Sequence, residues 1–260
     1  MDRRRVNGPE QSVEPIYKKL EEAVDILNSE RKRLDERSTE DHRPIFLRTG
    51  LVTQANGSAY IEIGNTKVTC AVYGPRQLKK SDFSNLCKIN CDFKFSPFSC
   101  KKRRGNIRDA EEREFSNIVV EAVTPAVRVE LLPKSAIDIY INVLENDGTT
   151  SCLAAAIIAA SVSLADAGIE MFDQVTACST VLATKDEQQL ILTDGTEKEE
   201  LQKDGSVLLS YMPSLNEITH VLQTGQSDPA ISTKAIEQCI DGCSKIYSVM
   251  SDSLLQSLSR

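Results

Sequence analysis

Between Leu47 and Arg76 the chain reads LRTGLVTQANGSAYIEIGNTKVTCAVYGPR. The two-residue period of its apolar positions fits paired strands with one buried face. Val52, Ala59, Ile61 and Ile63 supply one alternating set, with Gly57-Ser58 predicted to lie between two arms. Gly64-Asn65 is the next predicted turn, because glycine and asparagine tolerate positive φ. It leads into a second run, Val68, Cys70 and Val72, which Gly74-Pro75 is expected to close. The segment therefore predicts an antiparallel sheet packed on one side.

The rest of the chain supplies helices to cover such a sheet. Cys87 to Phe95 reads as a strand ended by Ser96-Pro97, and Glu111 to Val123 has helical spacing at Phe115, Ile118, Val119, Ala122 and Val123. Pro125 limits that helix. Residues 136–144 alternate, with Ile137, Ile139, Ile141 and Val143 on one face. After the turn Asn146-Asp147-Gly148, Ser151 or a neighbour is the expected N-cap of an alanine-rich helix that Gly168 ends. Val175 to Ala183, residues 190–192, 206–212 and 217–223 read as further strands, and Ile231 to about Leu258 as a long amphipathic helix. Strands grouped with helices twice over predict an α+β domain of two similar halves, about 45–170 and 171–260, each a mixed or antiparallel sheet packed against helices. Residues 1–44 differ: they are charge-rich, with Ile16, Leu20, Ala23, Val24 and Leu27 at helical spacing. Such a face packs either on its own domain or on a neighbour, and periodicity does not choose between them.

Composition narrows the function classes. The chain has 260 residues, 40% of them hydrophobic and none of them Trp, enough for a core of Val, Ile, Leu and Ala. The N-terminus lacks the apolar segment of a secretory signal, and no apolar run reads as long enough to span a bilayer, so a soluble intracellular protein with no membrane partner is expected. Eight cysteines in that setting are expected to be reduced and buried. Cys87 with Cys91 and Cys239 with Cys243 are not CxxC pairs, and His42 and His220 are the only histidines, so no metal or cofactor is expected. The net charge of −7 and pI of about 5.1 exclude a chain-wide basic footprint for nucleic acid.

The residues ANGSAYIEIGNTKV followed by YGPR resemble the opening of the RNase PH family of phosphorolytic exoribonucleases. The resemblance runs over roughly residues 45–250, through the segment Asn146 to Ala156, LADAGIEMFD at 164–173 with VTACS after it, YMPSLNEIT and EQCIDGCSKIY. LRTGLVTQANGSAYIEIGNTKV, CDFKFSPF, EEREFS and LADAGIEMFD are similar to the ring-forming branch of the eukaryotic exosome, and to its non-catalytic members. The resemblance implies a hetero-oligomeric ring of RNase PH-like subunits around an RNA channel. It further implies cap subunits with RNA-binding domains, an attached hydrolytic nuclease, roles in rRNA processing and RNA degradation, and a location in nucleus, nucleolus and cytoplasm.

Phosphorolysis brings two anions together, so it needs fixed cationic donors, which a guanidinium supplies best. Active relatives carry that Arg in a Gly-Thr-Arg turn at the start of the central helix; here the turn reads Gly148-Thr149-Thr150. Losing a charge-assisted contact at the reacting phosphate costs on the order of a thousandfold in rate. Active relatives also carry an acidic pair six residues apart, which falls on Asp194 and Glu200. The segment TDGTEKEE reads equally as a solvated acidic loop. Lys101, Lys102, Arg103, Arg104 and Arg108 form a basic loop that either tracks an RNA backbone or solubilises the surface. Arg113 matches a family position that contacts RNA or phosphate, and reads equally as a partner of Glu112 or of another acid. The reading is a structural, RNA-guiding ring subunit. The alternatives are an active or composite phosphate-dependent 3′–5′ exoribonuclease, or an unrelated interaction protein with a similar α+β pattern.

Overall fold

The computed structural model describes residues 33–78, 85–105, 107, 109–185 and 188–258. The helix expected around Ile16–Leu27 and the turn residues Asp186 and Glu187 lie outside them. Two sheets share one apolar core. The first contains β1 (Ile45–Thr49), β2 (Gly57–Ile63), β3 (Thr66–Gln77), β4 (Lys88–Phe95) and β5 (Ser135–Glu145) in the order β1-β2-β3-β5-β4. It is mixed: β4 runs parallel to β5, and the other pairs are antiparallel. The second orders β7 (Gln188–Thr193), β6 (Thr176–Lys185), β8 (Gly205–Met212) and β9 (Glu217–Gly225) as β7-β6-β8-β9, all antiparallel.

The opening hairpin corrects the sequence reading in two places. Gly57-Ser58 is not the connection between arms but the start of β2, and Val52 lies in the loop after β1, whose first residue is Ile45. Gly57 is small because α2 (Thr149–Asp166) passes against it: a Cβ there would overlap the Ser163 carbonyl oxygen and the Ala167 nitrogen. Gly64-Asn65 does turn the chain, with Ile63 paired to Thr66 and Gly64 at φ +56°. Gly74-Pro75 does not end β3. The strand shifts register between Tyr73 and Arg76 and pairs with β5 as far as Gln77. A bulge accommodates a proline that cannot donate to the ladder.

The inward faces are those the alternation predicts: Ile61, Ile63, Val68, Cys70, Val72, Ile137, Ile139, Ile141 and Val143 are all buried. They pack against α1 (Ala110–Val123) and α2. Asp109 caps α1 in a reciprocal box with Glu112, and a 3-10 turn carrying Pro125 follows its end. α2 touches both sheets and is buried from Ser151 to Leu164, so the two halves share their central helix rather than each covering its own. By length and composition alone it would pass as a membrane span, contrary to the sequence expectation, but 78% of it is buried inside the protein as a core helix. In the second sheet β8 is buried throughout, and α4 (Pro229–Leu258) lays Ala235, Cys239, Cys243, Ile246 and Met250 against the core. All eight cysteines are free thiols, six of them buried. Burial pushes the Cys70 and Cys243 thiols up to about 12, which keeps them protonated and unreactive.

Candidate functional site

The first turn of α2 carries backbone N–H groups that have no acceptor within the helix, at the positive end of its dipole, the natural place for an anion. Gly148 precedes it at φ +122°, and a Cβ there would come within 2.7 Å of the Gly195 carbonyl oxygen. That glycine lets the chain segment after β7 approach the helix directly. The expected local cap from Ser151 or its neighbours is not formed; Gly148 is the N-cap and makes no side-chain bond. The cap comes instead from fifty residues away. Thr149 N–H donates to Glu200 Oε2 at 2.6 Å and Thr150 N–H to Oε1 at 2.8 Å, and the Thr150 hydroxyl also donates to Oε1. A carboxylate of the chain itself thus fills the anion position.

Glu200 ends α3 (Glu197–Glu200), a single turn the sequence did not announce, capped by Thr196 in a box with Glu199. Asp194 lies just before it and is 5% exposed, not a member of a solvated loop. It accepts from Arg43 N at 3.0 Å, Arg43 Nε at 2.8 Å, Arg43 Nη2 at 2.6 Å and Ser151 Oγ at 2.7 Å. Burial alone would raise its pKa, but the Arg43 guanidinium and these hydrogen bonds hold it down to about 2. The same pairing raises Arg43 against its own desolvation. Arg43 also reaches the Asp147 carboxylate at 3.3 Å, and Arg33 grips Glu199 in a two-pronged contact at 2.7 and 2.5 Å. The structure sets Glu200 against Thr149 and Thr150, and Asp194 against Ser151 of the same helix turn. It adds Arg33, Arg43 and Glu199, which sequence reasoning missed because a charge-rich stretch gives no sign of which charges are buried.

The basic loop borders an open cleft of about 910 Å³ beside this turn. Lys101, Lys102, Arg103, Arg104 and Lys203 line it, and so do Asp109, Glu111, Glu112, Glu197 and Glu200, so among the described residues its charges balance. Lys101 pairs with Glu197 at 3.0 Å. Arg104 is committed to the fold: it bonds Glu111 at 2.8 Å and stacks over the Phe95 ring at 4.0 Å. Lys102 and Arg103 are exposed, and Arg108 lies outside the described residues. Arg113 is exposed on the outer side of α1, lining a separate groove with Ile89, Asn90 and Glu121. It does not pair with Glu112, whose buried carboxylate accepts from the backbone N–H groups of Phe95 at 2.9 Å and Asp109 at 3.2 Å. Among the described residues no group of three or more His, Cys, Asp or Glu side chains is placed to hold a metal ion.

Two sheets around a shared alanine-rich helix, with an acidic segment at its N-terminus, are the architecture of the RNase PH-like fold. The model of the 3′ exoribonuclease family, domain 1 (RNase PH), matches residues 41–170, and the chain belongs to that family. It is 36% identical to the exosome complex component mtr3 of Schizosaccharomyces pombe over 254 residues, 98% of this chain and 96% of that one. It is 34% identical to the exosome complex component MTR3 of Homo sapiens over 273 residues, 100% of this chain and 96% of that one. It is also 34% identical to the exosome complex component Rrp41 of Pyrococcus furiosus, over 90% of this chain and 92% of that one. Among solved structures, rice (Oryza sativa) Rrp46 shares the fold with a TM-score of 0.74 at 23% identity, covering 85% of this chain and all of that one. Family membership removes the unrelated interaction protein from the alternatives.

Proposed function

We propose that this chain is a non-catalytic ring subunit of an exosome complex, supporting 3′-to-5′ RNA processing and degradation carried out by an associated nuclease. Near full-length similarity to components named for that complex supports the assembly. One observation supports the absence of chemistry. The anion position at the α2 N-terminus carries Thr150 where active relatives have Arg, and it is filled by Glu200. Inorganic phosphate would meet a carboxylate there instead of a guanidinium, and like charges at that distance repel. Asp194, the other acid of the pair, is spent on Arg43 and is ionised at neutral pH, so it has no proton to give a leaving oxygen.

In this reading the other RNase PH-like subunits flank the chain in the ring, cap subunits with RNA-binding domains sit above it, and the complex works in nucleus, nucleolus and cytoplasm. Lys102 and Arg103 are the residues best placed to touch a passing RNA backbone, while Lys101 and Arg104 serve mainly to fix the loop. Co-purification of the tagged chain followed by mass spectrometry tests the assembly. Other RNase PH-like subunits in equal amounts are expected, and a monodisperse monomer would refute it. A composite phosphorolytic site is the second reading, favoured by the convergence of Asp194 and Glu200 on one helix turn. It requires Asp194→Asn to abolish phosphate-dependent decay by the assembled ring.

A further inference from the structure

Helix α3 is one turn long, and its four residues, Glu197, Lys198, Glu199 and Glu200, are all charged. One turn does not hold itself in water. Leu201, the apolar residue that follows, is 68% exposed and anchors nothing. The orientation of α3 is therefore set by polar contacts. Glu199 and Glu200 are neighbours about 100° apart around the helix. One reaches Arg33, and the other reaches the first turn of α2. Arg33 is fully buried, which a guanidinium sustains only when its donors are used. It forks onto Glu199 and donates to the carbonyls of Thr193 at 2.5 Å and Asp194 at 3.0 Å. Ten residues later Arg43 holds the Asp194 side chain and backbone N–H of Arg43 adds a third contact. Arg37, between them, lies 3.7 Å from the same carboxylate.

We propose that residues 33–43 are a strap whose arginines fix α3, so that Glu200 stays seated in the α2 N-terminus and keeps the site closed to phosphate. The device rests on the non-catalytic reading above. Arg33 and Arg43 are positioning residues in it: neither touches Thr149 or Thr150; Arg33 acts through Glu199, and Arg43 ties Asp194 to the Ser151 hydroxyl in the first turn of α2 and to Asp147 before it. The segment that precedes β1 is thereby assigned to its own domain over residues 33–43, and to a task there.

Residue-resolved hydrogen exchange on the full-length chain tests this, because Glu200 protects the amides of Thr149 and Thr150. The double variant Arg33→Met/Glu199→Gln removes both members of the buried pair and leaves no lone charge. Those two amides are expected to exchange at least about tenfold faster, approaching their rate in Glu200→Ala, while amides of residues 155–163 keep wild-type rates. If the interior of α2 also loosens, Arg33→Lys, which keeps the charge but lacks the fork, is read in the same way. Wild-type protection of Thr149 and Thr150 in the variant whose α2 interior is intact would overturn the proposal. Nucleoside diphosphate release by the wild-type chain would instead remove the non-catalytic reading and leave the exchange result standing.

Discussion

Replacing Asp194 with alanine separates a structural acid from a catalytic one. The side chain is 5% exposed and accepts three hydrogen bonds from Arg43 and one from Ser151. Its removal leaves a buried guanidinium with the Ser151 hydroxyl, the Asp147 carbonyl at 3.2 Å and the partly exposed Asp147 carboxylate at 3.3 Å as its partners. Breaking a buried ion pair from one side costs about 3–5 kcal/mol, and the remaining Asp147 contact argues for the lower end. With a urea dependence of about 2 kcal/mol per molar, the unfolding midpoint should fall by more than about 1 M. Arg43→Met/Asp194→Leu, which removes both charges and keeps the volume apolar, should recover most of that loss. Urea denaturation followed by circular dichroism reads all three proteins. An Asp194→Ala midpoint within about 0.2 M of wild type would refute the structural role and leave this carboxylate available for chemistry.

Further outcomes follow from other parts of the molecule. Gly57→Ala should destabilise by about 1–3 kcal/mol or more, since the new methyl meets α2 backbone rather than a movable side chain; thermal unfolding checks it. Asp194 titrates near 2 in the fold against 3.8 for the unperturbed group, so its contribution is full above pH 3.8. About 2 kcal/mol should be lost as pH falls through 2. Burial lowers the His42 pKa from 6.5 although Asp194 pulls the other way, so its contribution is present above pH 6.5 and lost on acidification below it. A melting series from pH 7 to 5 should decline, and more gently in His42→Gln. Replacing Lys102 and Arg103 by alanine in the assembled ring should reduce the salt slope of single-stranded RNA binding by about 1.4, with no change if neither meets a phosphate.

The sheets were legible because their faces repeat every second residue: Ile137, Ile139, Ile141 and Val143 need no partner to be recognised. Gly57 misled because a glycine demanded by a helix passing against it looks the same in sequence as a glycine demanded by a turn. Gly74-Pro75 misled because a bulge keeps pairing where a proline alone would stop it. At the candidate site the residue types at Thr149, Thr150, Asp194 and Glu200 were readable, but their partners were not. The cap of α2 is Glu200 and the counter-ion of Asp194 is Arg43, contacts spanning fifty and more than one hundred and fifty residues. No local pattern encodes such pairs. Arg33 sits among ERKRLDER, where every charge looks solvated until the fold buries one of them.

The most direct measurement is nucleoside diphosphate release from the 3′ end of RNA in the presence of inorganic phosphate, with the wild-type chain and with Thr150→Arg. Wild type should release none. The variant should release none either, because the new guanidinium would meet the Glu200 carboxylate already seated beside it. Sustained phosphate-dependent release by the wild-type chain would contradict the account.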